Sequence, residues 1–176
     1  MDETIAIVLP LRDFPGEPLV ALTRAIEERG LPSVVAAPER GRCVGVGGVR
    51  VMARLALDEL RPDRLAAAIV LDGPDEPLAR DPRLARLVLE MVRAGRTLGA
   101  VGHGVAALAS TGLLRGRSVA ADEEVADRAR RDGAVPLLEP VVVSGGVVTA
   151  TEAAAARVVD ELLELRRAVA PPPPPT

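Results

Sequence analysis

Aromatic side chains are almost absent from this 176-residue chain, in which Phe14 is the only one and Trp and Tyr do not occur. Lysine, asparagine and glutamine are also missing, so arginine fills all 22 Lys+Arg positions. Since 48% of the residues are hydrophobic, the core must consist of Val, Leu, Ile and Ala. Aliphatic cores of this kind are typical of buried parallel strands covered by helices.

Cysteine and histidine each occur once, as Cys43 and His103. One cysteine excludes an internal disulfide and a cysteine-based zinc cluster, and one histidine excludes a site with several histidine ligands. No Walker-type phosphate loop is present either. We expect a protein that needs neither a metal ion nor a cofactor.

The charge balance and the N-terminus exclude further classes of protein. A net charge of −3 argues against a nucleic-acid-binding surface, which needs clustered basic residues. The acidic start Met1-Asp2-Glu3 lacks the basic region of a secretory signal, and no apolar run is long enough to span a bilayer. We expect a cytoplasmic protein that binds neither nucleic acid nor membranes.

Short apolar runs alternate with segments of helical periodicity along most of the chain. Strands are predicted at 5–9, 33–37, 66–71 and 97–101, and helices at 17–29, from Asp81-Pro82 to Gly95, directly after Gly102, and at about 152–168. Two hairpins are predicted, one over 43–53 with a two-residue turn at Gly47-Gly48 and one over 141–149.

This alternation predicts an α/β fold: a doubly wound, mostly parallel sheet with flanking helices and small β-hairpins. Residues 1–168 are expected to form a single domain, and residues 169–176 a proline-rich tail in an extended conformation. For this tail, an inert terminus is favoured over a docking motif for a proline-binding partner.

Ligands of such sheets bind at the carboxyl ends of the strands, which here are residues 10–16, 72–74 and 102–104. The run Val101-Gly102-His103-Gly104 passes from a strand into a helix without a spacer. This pattern predicts the strained turn of a nucleophile elbow, but the residue at its tip is a glycine.

The chain resembles the ThiJ/PfpI superfamily from Ile5 to about Leu165. Several motifs carry the resemblance by their order and spacing: Asp81-Pro82-Arg83-Leu84, Arg93-Ala94-Gly95-Arg96, Val101-Gly102-His103-Gly104, Gly112-Leu113-Leu114-Arg115-Gly116-Arg117 and the run from Val141 to Thr149. The resemblance implies a flavodoxin-like fold and a homodimer, which is common in that superfamily.

The resemblance also implies site residues. Members carry Cys-His-Gly or Cys-Ala-Gly at the elbow, so Gly102 takes the place of a cysteine. Glu17 corresponds to the glutamate that hydrogen-bonds that cysteine, and Asp122 falls near a third pocket residue. Members read Pro-Gly-Gly after the middle strand and supply oxyanion amides there. This chain reads Asp72-Gly73-Pro74, so a carboxylate is added and an amide is lost. The binding positions implied at the elbow and oxyanion region are Gly73, Gly102 and Gly104.

Two functions remain open for a small-molecule ligand at this edge. Because Gly102 has no side chain, thiolate chemistry is excluded at that position, and Cys43 is better interpreted as an interior or interface thiol. The first function is a cofactor-independent hydratase, lyase, isomerase or cyclase. The second is a catalytically inactive member that binds a metabolite or a protein partner.

In the enzyme hypothesis, His103 exchanges protons together with three carboxyl groups, those of Glu17, Asp72 and Asp122. Structural roles are open for the same groups. His103 could bond a neighbouring loop or subunit, and Asp72 could cap its turn. Asp122 could cap the following helix through Arg130.

Overall fold

The computed structural model of the chain describes residues 4–169. Its strands are β1 Thr4–Val8, β2 Ser33–Ala37, β3 Gly41–Val44, β4 Arg50–Ala53, β5 Leu55–Ala56, β6 Leu65–Leu71, β7 Thr97–Val101, β8 Ser118–Ala120, β9 Val135–Leu137, β10 Val141–Ser144 and β11 Val147–Ala150. Its helices are α1 Gly16–Glu28, α2 Pro82–Arg93, α3 His103–Ser110, α4 Glu123–Arg131 and α5 Ala155–Val169. Short 3-10 turns lie at Val46–Gly48, Leu57–Glu59, Pro62–Arg64, Leu78–Arg80 and Glu152–Ala154.

Seven strands form the main sheet, in the order β10-β11-β7-β6-β1-β2-β5. Every neighbouring pair is parallel except β10 and β11, which form an antiparallel hairpin. Strands β3 and β4 form a separate antiparallel pair, and β8 and β9 a short parallel pair. The predicted doubly wound, mostly parallel sheet with flanking helices is confirmed.

An aliphatic core lies on each face of this sheet. On one face α2, α3 and α4 bury their apolar stripes, and on the other face α1 and α5 do so. In α2 the stripe is Leu84, Leu87, Val88 and Met91, as the helical spacing predicts. Each buried Leu or Val contributes about 1.5–3 kcal/mol, so the many aliphatic side chains compensate for the missing aromatics.

Local signals explain where the helices begin and end. The Asp81 carboxylate accepts a hydrogen bond from the Arg83 amide at 2.9 Å, and Pro82 occupies the first turn of α2. Gly95, with φ +66°, ends that helix in a left-handed conformation. The strands predicted at 33–37 and 97–101 have the bounds of β2 and β7.

The first hairpin differs from its predicted turn. Val44 pairs with Arg50, so the connection runs over five residues, 45–49, and the two-residue turn predicted at Gly47-Gly48 is wrong. The longer loop is stabilised from outside the hairpin, because the Val46 amide donates to the Phe14 carbonyl at 2.9 Å. A contact between two loops of this kind leaves no local pattern in the sequence.

Two further predictions concern the proline-rich tail and the absence of a membrane-spanning segment. The proline-rich segment at 171–175 lies outside the described residues. Within residues 4–169, none of the helices combines the length and the apolar character that crossing a membrane requires.

Gly104 in the first turn of α3 provides a test of this packing. A Cβ there would lie 2.0 Å from the Val70 carbonyl oxygen, which the sheet holds in place. We expect Gly104→Ala to lower the free energy of unfolding by about 3 kcal/mol in chemical denaturation, because overpacking costs about that much. Gly30→Ala is the control. Gly30 has φ +65° and open space around it, so the change adds only backbone strain of about 1 kcal/mol. Equal losses would contradict the close contact between α3 and β6.

Candidate functional site

The passage from β7 into α3 forms a sharp turn at Gly102, with φ 56° and ψ −127°. The Gly102 amide donates to the Ala150 carbonyl at 3.0 Å, which joins the end of β7 to the end of β11. The Gly102 carbonyl accepts from the Val105 amide at 2.9 Å, within the first turn of α3. This turn therefore brings two strand ends and a helix start to one point on the sheet edge.

A cavity of about 380 Å³ opens at this edge. Its titratable lining consists of one histidine and five acids, His103, Asp13, Glu17, Asp72, Glu124 and Glu152. The rest of its lining is small or apolar and consists of Pro15, Gly16, Pro18, Val46, Gly47 and Pro74. No arginine among the described residues lines it, so the cavity is acidic.

His103 is the one histidine in the lining of this cavity, and its side chain can accept and donate a proton. Only 8% of the residue is exposed. Its Nδ1 lies 3.2 Å from Glu76 Oε1, and its Nε2 lies 3.5 Å from Glu124 Oε1. Glu76 is 3% exposed and forms an ion pair with Arg128. A carboxylate paired with a guanidinium only accepts hydrogen bonds, so the proton of a neutral His103 belongs on Nδ1. Its Nε2, which faces Glu124 Oε1, is then the nitrogen that can exchange a proton with a ligand.

Glu76 was not predicted from the sequence. It follows the carboxyl end of β6 by a few residues and has φ +50°, a conformation that non-glycine residues rarely adopt. Its position in a loop after a strand end was the one signal available. Its partner Arg128 is 52 positions away, so no local pattern indicates the pair.

Asp72, directly after β6, is fully buried. Its Oδ1 accepts from the Gly73 amide at 2.9 Å, and its Oδ2 accepts from the Leu78 amide at 3.1 Å. Burial raises the pKa of Asp72 to about 7, although these backbone hydrogen bonds oppose the shift. Asp72 therefore caps its turn and also titrates near neutral pH.

Glu152, in the 3-10 turn after β11, faces Gly102. A Cβ at residue 102 would lie 2.8 Å from Glu152 Cγ and 3.0 Å from its Oε1. Partial burial raises the pKa of Glu152, and the charge of His103 lowers it. The charges of Asp122, Glu124 and Glu17 raise it further. Glu152 was not predicted from the sequence, because the end of β11 was not counted among the strand ends at this edge.

Three comparisons with known proteins agree with this architecture. The model of the DJ-1/PfpI family matches residues 4–165. The chain belongs to the DJ-1/PfpI family. A Thermococcus kodakarensis protein named as a deglycase is 28% identical over 140 residues, which are 79% of this chain and 84% of that protein.

Solved structures of the DJ-1/PfpI family share the fold. A ThiJ/PfpI domain protein from Brachyspira murdochii has a TM-score of 0.88 and 20% identity, over 95% of this chain and 98% of that one. A DJ-1 superfamily protein from Agrobacterium tumefaciens has a TM-score of 0.78 and 25% identity, over 93% of this chain and 90% of that one. The predicted superfamily is thereby confirmed.

Within this DJ-1/PfpI chain, the structure brings together three of the four predicted catalytic side chains. His103, Asp72 and Glu17 all line the cavity, with Glu17 exposed in the first turn of α1. Asp122 is not among the lining residues. It caps α4 by accepting from the Val125 amide at 3.2 Å, whereas Arg130 pairs with Asp127, so the predicted cap through Arg130 is wrong. Catalytic roles for all four stay predictions.

The predicted binding glycines are buried and are not among the lining residues of the cavity. Gly104 packs against the β6 backbone, and a Cβ at Gly73 would lie 2.8 Å from the Asp13 carbonyl oxygen. Gly73 also donates its amide to Asp72. Close packing therefore explains both glycines, and neither lines the cavity. Gly102 does not line it either, because Glu152 lies over it.

Two further features concern thiol and metal chemistry. Cys43 is buried in the core between α1 and the sheet, and burial raises the pKa of its thiol. It is not among the lining residues of the cavity. Within residues 4–169, no three His, Cys, Asp or Glu side chains are arranged to hold a metal ion.

Asp72→Asn is expected to change how stability depends on pH. A carboxyl group with a raised pKa in the folded state binds a proton that the unfolded chain has lost, so stability falls as pH rises from about 4 to about 7. The full loss for Asp72 is at most about 4 kcal/mol. Urea denaturation between pH 4 and 8 should show this fall in the wild type and a flatter curve in Asp72→Asn. Asp75→Asn, an exposed neighbour, is the control. Parallel curves for wild type and Asp72→Asn would contradict a raised pKa.

Proposed function

We propose that this protein is a cofactor-independent acid–base enzyme of the hydratase, lyase, isomerase or cyclase type, acting on a small molecule in the acidic cavity. The observation that carries the proposal is the buried pair of His103 and Glu76. Glu76, itself bound to Arg128, orients the ring through Nδ1. A base held by a third group in this way is the arrangement expected of a catalytic base.

Thiol chemistry at the elbow has no support in this chain. The Thermococcus relative is named as a deglycase, but a deglycase reaction through a thiolate at residue 102 is excluded because that residue is glycine. Cys43 is buried and does not line the cavity. Proton transfer by the histidine and the carboxyl groups is the chemistry that the lining can supply.

The charge of the lining narrows the class of ligand. Five acids and one histidine surround the cavity, and no arginine among the described residues joins them. An anionic ligand would meet like charges in a partly desolvated space, where they repel most strongly. We therefore expect neutral or cationic ligands, such as amines, rather than phosphates or carboxylates.

One observation favours the alternative of a catalytically inactive binding module. Both oxygens of Asp72 are used by the amides of Gly73 and Leu78, as in a purely structural turn. In that case the cavity would hold a metabolite without changing it. The two functions differ in whether a bound compound is turned over.

The test begins with a screen of neutral and cationic metabolites for a ligand-induced rise in Tm, with matched anions as controls. Each compound that binds is then followed for chemical change. For a converted compound we expect His103→Gln to lower kcat about 100-fold or more, since that is the usual contribution of a general acid or base. Glu76→Gln is expected to lower kcat about 10-fold or more, because the ring loses its orienting acceptor.

Glu123→Gln is the control for these variants. Glu123 is an exposed acid in the first turn of α4 and does not line the cavity. The Glu123→Gln variant should therefore have a kcat and a KM within about two-fold of the wild-type values. If compounds bind tightly and are never converted, the enzyme hypothesis is overturned and the binding-module hypothesis is supported.

The proposal includes a homodimer. It is supported by an apolar surface on α1 and the first hairpin loop, where Val20 is 54% and Val46 is 59% exposed. Light scattering should give about twice the 18.3 kDa of one chain, and Val20→Glu should shift the mass toward the monomer. A monomeric wild-type protein at micromolar concentration would contradict this part.

A further inference from the structure

The Glu152 side chain lies where a side chain at residue 102 would have to be placed. A Cβ at residue 102 would lie 2.8 Å from Glu152 Cγ, 3.0 Å from Oε1 and 3.4 Å from Cδ. Real Cβ atoms essentially never come within 3.0 Å of a neighbour, so a side chain at 102 would have to displace Glu152. The glutamate side chain therefore occupies the place that a side chain of the elbow would take.

The backbone holds Glu152 at this place. The hydrogen bond from the Gly102 amide to the Ala150 carbonyl joins the ends of β7 and β11. The chain then turns at Thr151, whose carbonyl accepts from the Ala154 amide at 3.0 Å, so residue 152 lies over the elbow. Its position depends on the pairing of two parallel strands rather than on a mobile loop.

Charged groups from three helices act electrostatically on Glu152. His103 comes from α3, and Asp122 and Glu124 come from the start of α4. Glu17 comes from the first turn of α1. The three carboxylates disfavour a negative charge on Glu152, and His103 favours it. Glu152 thus shares the cavity with His103, a base that can exchange a proton with it.

We propose that Glu152 is the reacting side chain of the elbow, a carboxyl group that exchanges a proton with the ligand, and that residue 102 is glycine to admit it. This inference rests on the acid–base function proposed above. It assigns a catalytic residue from the 3-10 turn after β11 to a position that a side chain of residue 102, between β7 and α3, would otherwise fill.

A reaction that moves a proton from one atom of a ligand to another needs no co-reactant, because every proton that the two side chains give or take is returned. The His103 imidazolium gives the proton on its Nε2 to one atom of the ligand, and the Glu152 carboxylate takes a proton from another. The ligand leaves as an isomer, with His103 neutral and Glu152 protonated. The proton then passes from Glu152 to His103 through the cavity and restores the starting pair.

The first experiment needs no ligand. Titration of the glutamate side-chain carbons by ¹³C NMR, with Glu152→Gln to assign the signal, measures the pKa of Glu152 directly. We expect a midpoint above the ordinary value of about 4.3. The midpoint should rise further in His103→Ala, since the charge of His103 lowers this pKa. In Gly102→Ala it should fall toward the ordinary value, because the displaced carboxyl becomes solvated. An ordinary midpoint that Gly102→Ala leaves unchanged would overturn the inference.

The second experiment uses the compound converted in the screen. Glu152→Gln, which keeps the shape of the side chain, should lower kcat about 100-fold with KM within a few-fold. Gly102→Ala should lower kcat similarly, but should cause no further loss in a Glu152→Ala background, because both changes remove the same group. Glu123→Gln again serves as the control.

The outcomes separate the inference from the proposed function. If His103→Gln loses turnover and Glu152→Gln keeps it, the inference is overturned and the acid–base function stands. If the wild type converts no compound that it binds, the proposed function fails, and the catalytic role of Glu152 falls with it. In that case the titration still shows whether Glu152 occupies the elbow.

Discussion

The direct passage from β7 into α3 is the constraint on which the cavity depends. With no spacer residue, Gly102 must take φ 56° and ψ −127°, and α3 starts so close to β6 that Gly104 has no room for a Cβ. The same turn places His103 at the carboxyl edge of the sheet. Because its amide bonds the Ala150 carbonyl, it also fixes the end of β11 beside the elbow. One backbone turn therefore positions groups from several strand ends.

Two buried acids and one exposed acid around this turn are stabilised in three different ways. Glu76 forms an ion pair with Arg128 and contacts His103. Asp72 bonds two backbone amides and still has a pKa of about 7. Glu152 has the nearby charge of His103 as its favourable partner. Such groups cost stability, and they persist where the surrounding sheet and helices hold them in place.

The positions of the longer strands and of most helices were predictable because apolar runs, caps and glycines act over a few residues. The bounds of β2 and β7 and the start of α2 at Asp81-Pro82 are examples. No bounds were predicted for the short β5, β8 and β9 or for the polar α4. The strand order was not predictable in this way, since the pairing of β11 with β7 joins segments far apart in the chain. The end of β11 was therefore not recognised as part of the ligand edge, and Glu152 was missed. The longer loop of the first hairpin depends likewise on a contact with Phe14.

The hydrogen-bond donors at this edge also bear on the type of reaction. The Gly73 amide, which could stabilise an oxyanion, is already bound to Asp72 Oδ1 at 2.9 Å. Pro74 has no backbone N–H to donate, and the cavity is lined by carboxyl groups rather than by arginine. Negative charge that develops on a ligand would therefore meet few donors and several acceptors. Reactions through a neutral or positively charged intermediate suit this lining, because the acids would stabilise the intermediate and exchange its protons.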